Sequence, residues 1–412
     1  MTAERLLVVE PMTSAVTVLG VAAELGWSTA AAAWDAGDRR MPDPVRDAVD
    51  TIIRVDPNDE DALQAAVLAE HRADPFTAVL PGIEFYVATA ARVAHLLGLP
   101  GLPVHRVDAL RDKVLMRVTA AAGLRSPAFA SIDGLEDLDA AAASVDFPAV
   151  FKPRDSAGSI HVSRVEDPDQ LRAAYLAMVR DPRPDDVGRG SGRARCSSPT
   201  SRARGQCRRL RRSRRSGGAL GHPQAALGRA TLRRDRTHGD WCDDAPELRG
   251  HIDEYVARVC RALDVRTGPF HCELRLPDGR PTLIEMAARL PGGQIVSLIE
   301  WTTGVQLPVL ALTVAAGLLP GALGGFGRAC TPYAGVHNFT AAHLDVVGGL
   351  EGADRLRERE GVREVTIDVG PGDPVPEFGD FRCRLGQVLF VAESHQQLEQ
   401  RRSELAAAVR FD

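Results

Sequence analysis

Residues 270–293 read FHCELRLPDGRPTLIEMAARLPGG and predict a β-hairpin followed by a turn. Apolar side chains alternate with polar ones from Phe270 onward, which is the period of a half-buried strand. The pair Asp278-Gly279 is typical of a hairpin turn, and the alternation resumes after it. A loop of three residues places Glu273 directly opposite Glu285 on one face of the hairpin. A loop of two residues shifts them by one position.

The facing carboxylates of Glu273 and Glu285 need compensation, because like charges that face each other across two strands are destabilising. Either both side chains face water, or they hold a divalent cation such as Mg²⁺. This ion takes oxygen ligands from one or two carboxylates and from substrate phosphates. The residues that follow favour the cation. Arg289 supplies a fixed positive charge, and the turn at Gly292-Gly293 supplies free backbone N–H groups for phosphate.

Length and composition fit a protein of two or three globular domains, since the chain has 412 residues of which 44% are hydrophobic. We expect a cytoplasmic protein, because the N-terminus does not resemble a secretory signal and the longest apolar stretch, residues 310–319, is too short to span a membrane. The seven cysteines form no CxxC pair and no zinc-type cluster, so we expect free thiols and no structural metal.

The use of basic residues is unusual. Lysine and arginine total 50, but Lys113 and Lys152 are the only lysines. A genome rich in G and C explains the excess of arginine. Lysines that persist against such a bias indicate positions where a compact ammonium is needed and a planar guanidinium does not serve. Chance survival is the competing explanation.

The first 100 residues, roughly, predict a doubly wound α/β domain, because strand and helix patterns alternate there. The first strand is not followed by GxGxxG, which argues against a Rossmann dinucleotide site. We expect strands at 5–9, 29–34 and 77–80 and helices at 15–25, 61–72 and 84–97.

The two lysines stand in different contexts. Lys113 falls within a helix that the pattern predicts at 107–122. Lys152 ends a predicted strand, 147–152, and a loop of small residues follows it: Ser156, Ala157, Gly158 and Ser159. Such a loop can close its backbone amides over phosphate oxygens while the lysine supplies charge. The signal is weak alone, because Ser/Gly loops are common and the order is not that of a Walker motif.

The segment 187–216 differs from the rest of the chain, since it holds 11 arginines in 30 residues and no lysine, aspartate or glutamate. It has too few apolar residues to bury a core, so we expect it to be disordered or loosely attached. A nucleic-acid-binding arm is one interpretation, but no interleaved aromatic residues support base stacking. We favour a second interpretation, in which residues 187–238 are translated out of frame from G/C-rich DNA.

Regular patterns resume after this segment. A core-facing helix is predicted at 252–263, ahead of the hairpin, and two more helices at 294–301 and 305–317 follow it. Beyond residue 327 a small α+β domain is predicted, with strands at 333–340, 344–347, 363–369 and 388–392 and a helix at 396–409.

The set of Lys113, Lys152 with its loop, Glu273, Glu285 and Arg289 resembles the ATP-grasp superfamily, most closely its carboxylate–amine ligases of the L-amino-acid (dipeptide) ligase type. The matching pieces are LRDKVLMR, FPAVFKPRDSAGS, GPFHCELRL and LIEMAARLPGGQI, and EFYVATAARVAHLLGLPG resembles the end of the family's first domain.

The resemblance implies a fold of mixed α/β and α+β type with three domains. These are an N-terminal doubly wound (pre-ATP-grasp) domain at 1–105, an ATP-grasp domain at 106–326 interrupted by the Arg-rich segment 187–238, and a C-terminal α+β domain at 327–412. The family's adenine-contacting strand and part of its lid belong between about 185 and 240, where this sequence matches nothing.

The resemblance also implies roles for single residues. Lys113 and Lys152 hold ATP phosphates, and Ser156, Ala157, Gly158 and Ser159 form the mobile flap over them. Glu273 and Glu285 ligate Mg²⁺, with Mn²⁺ as the alternative ion. Arg289 steadies the acyl-phosphate and the oxyanion of the attacked intermediate. The implied partners are a small-molecule carboxylate and an amine, and a homodimer suits the family.

Two other functions compete with that of an amino-acid ligase. Many ATP-grasp enzymes place Asn two residues after the second Glu, where this chain has Ala287. Ala287 and the C-terminal domain fit an ATP-grasp carboxylase or purine-pathway ligase less well than an amino-acid ligase. The third alternative is a catalytically impaired scaffold or a nucleic-acid-binding protein that uses the arginines, although nucleic acid is the less favoured partner.

The frameshift hypothesis is testable on the gene. We expect that sequencing the gene from a fresh source shows a shifted reading frame across the codons for 187–238, because an alternate frame of G/C-rich DNA yields Arg, Ser, Gly and Pro. A clean open frame that encodes the printed arginines would refute the hypothesis.

Overall fold

The computed structural model describes residues 4–12, 15–120, 123–180, 205–208, 214–222, 225–232, 246–341, 344–375 and 384–412. The α-helices in these ranges are α1 (Ala15–Glu24), α2 (Asp43–Asp47), α3 (Glu60–Ala73), α4 (Val87–Leu96), α5 (Lys113–Ala120), α6 (Leu138–Ser144), α7 (Pro168–Arg180), α8 (Pro246–Ala262), α9 (Ile295–Thr303), α10 (Leu307–Ala315) and α11 (His395–Ala406).

The strands in the same ranges are β1 (Arg5–Val9), β2 (Ser28–Ala33), β3 (Thr51–Arg54), β4 (Ala78–Pro81), β5 (Phe129–Ile132), β6 (Ala149–Pro153), β7 (Ser163–Val165), β8 (Gly205–Arg208), β9 (Arg214–His222), β10 (Ala225–Leu232), β11 (Pro269–Arg275), β12 (Thr282–Ala287), β13 (Tyr333–Phe339), β14 (Leu350–Glu351), β15 (Val362–Ile367), β16 (Gly386–Ala392) and β17 (Arg410–Phe411).

The N-terminal sheet is parallel in the order β3-β2-β1-β4, which confirms the predicted doubly wound α/β arrangement. One face packs against α3 and α4, where Leu63, Val67 and Val93 are buried. The other face packs against α1 and α10, since Leu6 and Leu310 belong to one buried cluster. A helix that follows the hairpin in sequence therefore completes the core of the first sheet.

The first and fourth strands form the crevice where the strand order reverses, because β1 lies between β2 and β4. Gly82 follows β4, and its N–H donates to the Val9 carbonyl at 2.7 Å. A Cβ on Gly82 would lie 2.0 Å from the Glu10 carbonyl oxygen, so only glycine fits there. Because of this close approach, the next turn, the 3₁₀ helix Glu84–Tyr86, lies at the carboxyl end of the sheet.

Two antiparallel sheets follow, in the orders β5-β8-β6-β7 and β10-β9-β11-β12. A cluster that includes Phe151, Leu171 and Tyr175 packs α6 and α7 on the first of these sheets. A second cluster packs α5 and α8 against the hairpin β11–β12 and includes Met116 and Val259.

The hairpin pairs Glu273 with Glu285, as the sequence predicts, but its loop is longer than three residues. Arg275 pairs with Thr282, and a 3₁₀ turn lies at Pro277–Gly279. The register shifts by one residue between Glu273 and Leu274, which is a β-bulge. The bulge offsets the longer loop, so the two carboxylates still face each other.

Two sequence predictions need correction in the middle of the chain. The helix expected at 107–122 is interrupted: a 3₁₀ turn, Val107–Leu110, is followed by Arg111 and Asp112, and α5 begins at Lys113. The Asp112 side chain accepts from the N–H of Val114 and so begins a new helix there.

The expected disorder of the arginine-rich segment does not hold for the residues of β8 and β9. These two strands pair through their backbones with β6 and β11, and backbone pairing does not require apolar side chains. Residues 187–204, 209–213, 223–224 and 233–238 lie outside the described parts of the chain.

The C-terminal residues form the predicted α+β unit. Its sheet has the order β13-β16-β15 and packs on α11 through Phe339, Phe390 and Leu398. Residues 344–347, expected as a strand, instead contribute one isolated bridge, from Val346 to Pro374. Cys260, Cys272 and Cys330 are free thiols, as predicted. Among the described residues, no helix is long and apolar enough to cross a membrane.

We predict that Gly82→Ala lowers the free energy of unfolding by about 1–3 kcal/mol, because the new methyl group overlaps the backbone of Glu10. Gly20→Ala is the matched control, since Gly20 lies within α1 with open space around it. That change should stabilise by roughly 0.5–1 kcal/mol. Urea denaturation of both variants measures the two effects. A Gly82→Ala protein as stable as the wild type would contradict the close packing.

Candidate functional site

The facing carboxylates lie on the central part of the hairpin. Glu273 on β11 and Glu285 on β12 point away from the buried cluster, because their neighbours Cys272, Leu274 and Met286 fill it. The exposed fractions of the two side chains are 12% and 23%. Both carboxylates are therefore partly shielded from water and remain accessible from one side.

The two lysines of the chain converge on one of these carboxylates. Lys113, the first residue of α5, places its Nζ 3.3 Å from Glu285 Oε1. Lys152, near the end of β6, places its Nζ 3.3 Å from Glu285 Oε2. Both lysines are 5% exposed. The structure thus brings together three residues that are far apart in sequence and that the resemblance assigns to one site.

The small-residue loop lies next to Lys113. The Nζ of Lys113 donates to the Ser156 carbonyl at 2.6 Å, and its backbone N–H donates to the Arg154 carbonyl at 2.9 Å. Gly158 and Ser159 have φ angles of 63° and 66°, in the left-handed region. The loop therefore folds back over the start of α5, where backbone groups and a lysine can meet an anion.

Arg289 reaches the site from the turn after β12. Its Nε lies 2.5 Å from Glu84 Oε2, and one of its Nη groups donates to the Leu290 carbonyl at 2.7 Å. The other oxygen of Glu84 lies 2.5 Å from an Nη of Arg111. Glu84 is buried, so two guanidiniums share one buried carboxylate at the edge of the site.

Sequence reasoning missed Glu84, Arg111 and Arg117. Glu84 was predicted only as the start of a helix, although a carboxylate just after a strand that ends in Pro-Gly is a signal for the crevice at the end of a parallel sheet. Arg117 is 1% exposed and donates to the Ile284 carbonyl at 2.7 Å. Burial lowers its pKa to about 10, against the opposing effect of Glu285.

The surroundings of Lys152 disfavour its charged form. Burial lowers the pKa of Lys152 to about 8, and the neighbouring charges of Lys113 and Arg117 act in the same direction. Glu285 opposes this shift. The pKa of Glu84 is raised by burial, but Arg289 and then Arg111 more than offset this, so the pKa lies below its usual value. The site therefore has an excess of buried positive groups that an anionic ligand would stabilise.

The carboxylate pair fits a hard divalent cation. In the described parts of the chain, no group of three His, Cys, Asp or Glu side chains could hold a metal. A pair is sufficient for Mg²⁺, because that ion commonly takes one or two protein carboxylates and completes its shell with water and substrate phosphates. Glu273 and Glu285 would hold such an ion next to the two lysines.

The comparisons with known proteins concern the fold and two segments of the chain. The pattern of the ATP-grasp N-terminal domain matches residues 20–101, and that of the L-amino acid ligase C-terminal domain 2 matches residues 340–412. In the crystal structure of L-amino acid ligase from Bacillus licheniformis, the same fold is found with a TM-score of 0.80 at 20% identity, over 100% of this chain and 99% of that one.

Three relatives share parts of the sequence. An uncharacterized protein of Sinorhizobium fredii is 24% identical over 84% of this chain and 70% of its own length. Formate-dependent phosphoribosylglycinamide formyltransferase of a Synechococcus species is 28% identical over 39% of this chain and 42% of the enzyme. Dapdiamide A synthase of Enterobacter agglomerans is 27% identical over 37% of each chain. The matches to the two named enzymes thus span less than half of those proteins.

The chain has the ATP-grasp fold, and residues 20–101 and 340–412 match an ATP-grasp N-terminal domain and the C-terminal domain 2 of L-amino acid ligases. The C-terminal match supports an ATP-dependent carboxylate–amine ligase. The domain boundaries at 105 and 326 remain predictions, as do the roles of the individual site residues.

We predict that Mg²⁺–ATP binding takes up protons near pH 8 and weakens as the pH rises. Lys152 loses its proton with a pKa of about 8 in the free protein, and bound phosphate favours the charged lysine. Linkage then predicts a roughly tenfold loss of affinity from pH 7 to pH 9. Calorimetry in buffers of different ionisation enthalpy measures the proton uptake. Lys152→Arg, which stays charged but presents a planar guanidinium, should bind more weakly at pH 7 and with little pH dependence. A wild-type affinity that is flat over this range would refute the assignment.

Proposed function

We propose that the protein is an ATP- and Mg²⁺-dependent ligase that joins the carboxylate of an amino acid to an amine through an acyl-phosphate, in small-molecule biosynthesis. The observation that carries the proposal is the convergence of the only two lysines, both buried, on Glu285. A buried cluster of this kind is suited to a triphosphate, which supplies the negative charge that one carboxylate cannot.

Lys113 and Lys152 bind the phosphates of ATP in this proposal. When a triphosphate enters, its oxygens replace Glu285 as partners of the two ammonium groups and release that carboxylate toward Glu273. The backbone groups of the loop from Ser156 to Ser159 close over the phosphates. Mg²⁺ held by Glu273 and Glu285 supplies charge neutralisation to the transferring phosphoryl group.

The chemical steps follow from the arrangement of positive charge. The substrate carboxylate attacks the γ-phosphorus, the bond to ADP breaks, and an acyl-phosphate forms. An amine then attacks the acyl carbon, loses a proton, and the phosphate leaves with the bonding electron pair. Arg289 lies beside the lysine cluster and stabilises the acyl-phosphate and the oxyanion of the tetrahedral intermediate. Positioning and charge stabilisation of this kind are the main sources of rate acceleration in phosphoryl transfer.

We also propose a cytoplasmic enzyme that acts as a homodimer on soluble substrates. One structural neighbour is named as an L-amino acid ligase, and similarity to it supports an amino acid as the carboxylate substrate. The similarity to a formate-dependent enzyme makes formate the second candidate carboxylate.

The first test measures Mg²⁺–ATP binding by calorimetry, and then ADP release with panels of amino acids, with and without formate. We expect binding that depends on Mg²⁺ and ADP release that requires an amino acid and forms an amide. Turnover with formate alone would favour the second candidate. A folded protein that binds no nucleotide would refute the proposal.

We predict that Lys152→Met and Glu285→Gln each reduce ADP release at least about 100-fold, because each removes a charge that contacts the phosphates or the cation. Arg164→Met and Glu166→Gln are the matched controls, since these exposed residues pair with each other on and beside β7. Both controls should retain wild-type turnover. Wild-type activity in either site variant would show that the site lies elsewhere.

A further inference from the structure

Glu84 is the buried acidic group that joins the N-terminal sheet to the candidate site. It is 5% exposed and lies in the 3₁₀ turn after β4, which Gly82 packs against the end of β1. One carboxylate oxygen lies 2.5 Å from Arg289 Nε and the other 2.5 Å from an Nη of Arg111. The contact with Arg111 is a hydrogen bond, whereas Oε2 meets Arg289 as an ion pair without hydrogen-bond geometry.

The two arginines lead to different parts of the site. Arg289 belongs to the turn after the hairpin strand that carries Glu285. Arg111 stands just before α5, and its second Nη donates to the Asp155 carbonyl, at the start of the small-residue loop. The Arg111 guanidinium also stacks over Phe85, which fixes its plane. The Glu84 carboxylate thus contacts Arg289 directly and is linked to the small-residue loop through Arg111.

Removal of this charge would leave the buried Arg111 and the partly exposed Arg289, whose side chain is 19% exposed, without their shared anion. A buried ion pair that loses one partner is costly, because the remaining charge has neither water nor a counterion. Arg289 would then turn toward solvent or toward another acidic group. The hydrogen bond from Arg111 to the Asp155 carbonyl of the loop would become longer or weaker.

We propose that Glu84 is a positioning residue for the ligase reaction. It holds Arg289 against the reacting acyl group, and through Arg111 it holds the start of the small-residue loop. The N-terminal domain thereby supplies the anion that orders two elements of the ATP-grasp domain. The effect on Arg289 during catalysis rests on the proposed function, whereas the effect on the loop does not.

The kinetic test compares Glu84→Gln and Glu84→Asp with the wild type. We expect Glu84→Gln to lower kcat roughly 10- to 100-fold, because Arg289 loses its orientation while Lys113 and Lys152 are unchanged. The KM for ATP should rise by a smaller factor than kcat falls, because the loop is loosened while the phosphate-binding lysines stay in place. Glu84→Asp keeps the charge and should restore part of the lost kcat.

The matched control is Asp35→Asn. Asp35 is another buried carboxylate at the end of a strand of the same sheet, and it pairs with Arg46 and Arg54. Its φ of 48° suits asparagine as well as aspartate. We expect this variant to lose stability but to keep wild-type kcat. If Glu84 has only a structural role, Glu84→Gln should, like Asp35→Asn, lose stability and keep wild-type kcat.

A second measurement does not require turnover. Hydrogen exchange of the amides from 155 to 160 should become several-fold faster in Glu84→Gln and stay unchanged in Asp35→Asn. If the wild type is inactive, faster exchange still supports the positioning of the loop, and only the proposed function fails. Unchanged exchange in Glu84→Gln, or a kcat equal to that of the wild type in an active enzyme, would overturn the proposal.

Discussion

The contact of two buried ammonium groups with Glu285 is the interaction on which the site depends. Lys113 begins α5 and Lys152 lies in β6, and each Nζ is 3.3 Å from an oxygen of one carboxylate. Mutual repulsion and burial act against this arrangement, as the lowered pKa of Lys152 shows. A fold tolerates such a cluster when a ligand of opposite charge completes it, and perturbed ionisation of this kind is common at functional sites.

The N-terminal sheet contributes an acidic residue, Glu84, to the candidate site. Its parallel order directs the turn after β4 into the crevice, and the missing side chain of Gly82 allows the turn to lie against β1. Glu84 then meets Arg289 and Arg111. A residue of the N-terminal sheet's last turn thus contacts two cationic groups from later segments of the chain.

The sequence was a good guide to the hairpin and a poor guide to the contacts around it. Alternation and turn residues indicated that Glu273 faces Glu285, and rare lysines indicated the two cations. The bulge could not be foreseen, because it compensates for a loop whose length depends on tertiary packing. Glu84 and Arg111 were also missed: an ion pair between segments far apart in sequence leaves no periodic signal, and no pattern distinguishes Arg111 from the other arginines.

The packing of α10 on the first sheet bears on how the chain is synthesised. Leu310 and Leu312 share a buried cluster with Leu6, Val8 and residues of α1, so α1 covers part of that face early and the rest waits for residues some three hundred positions later. On the ribosome, this part of the apolar face stays exposed while most of the remaining chain is still being made, at roughly 5–20 residues per second. That interval is a matter of many seconds, during which the uncovered apolar surface is open to non-native contacts.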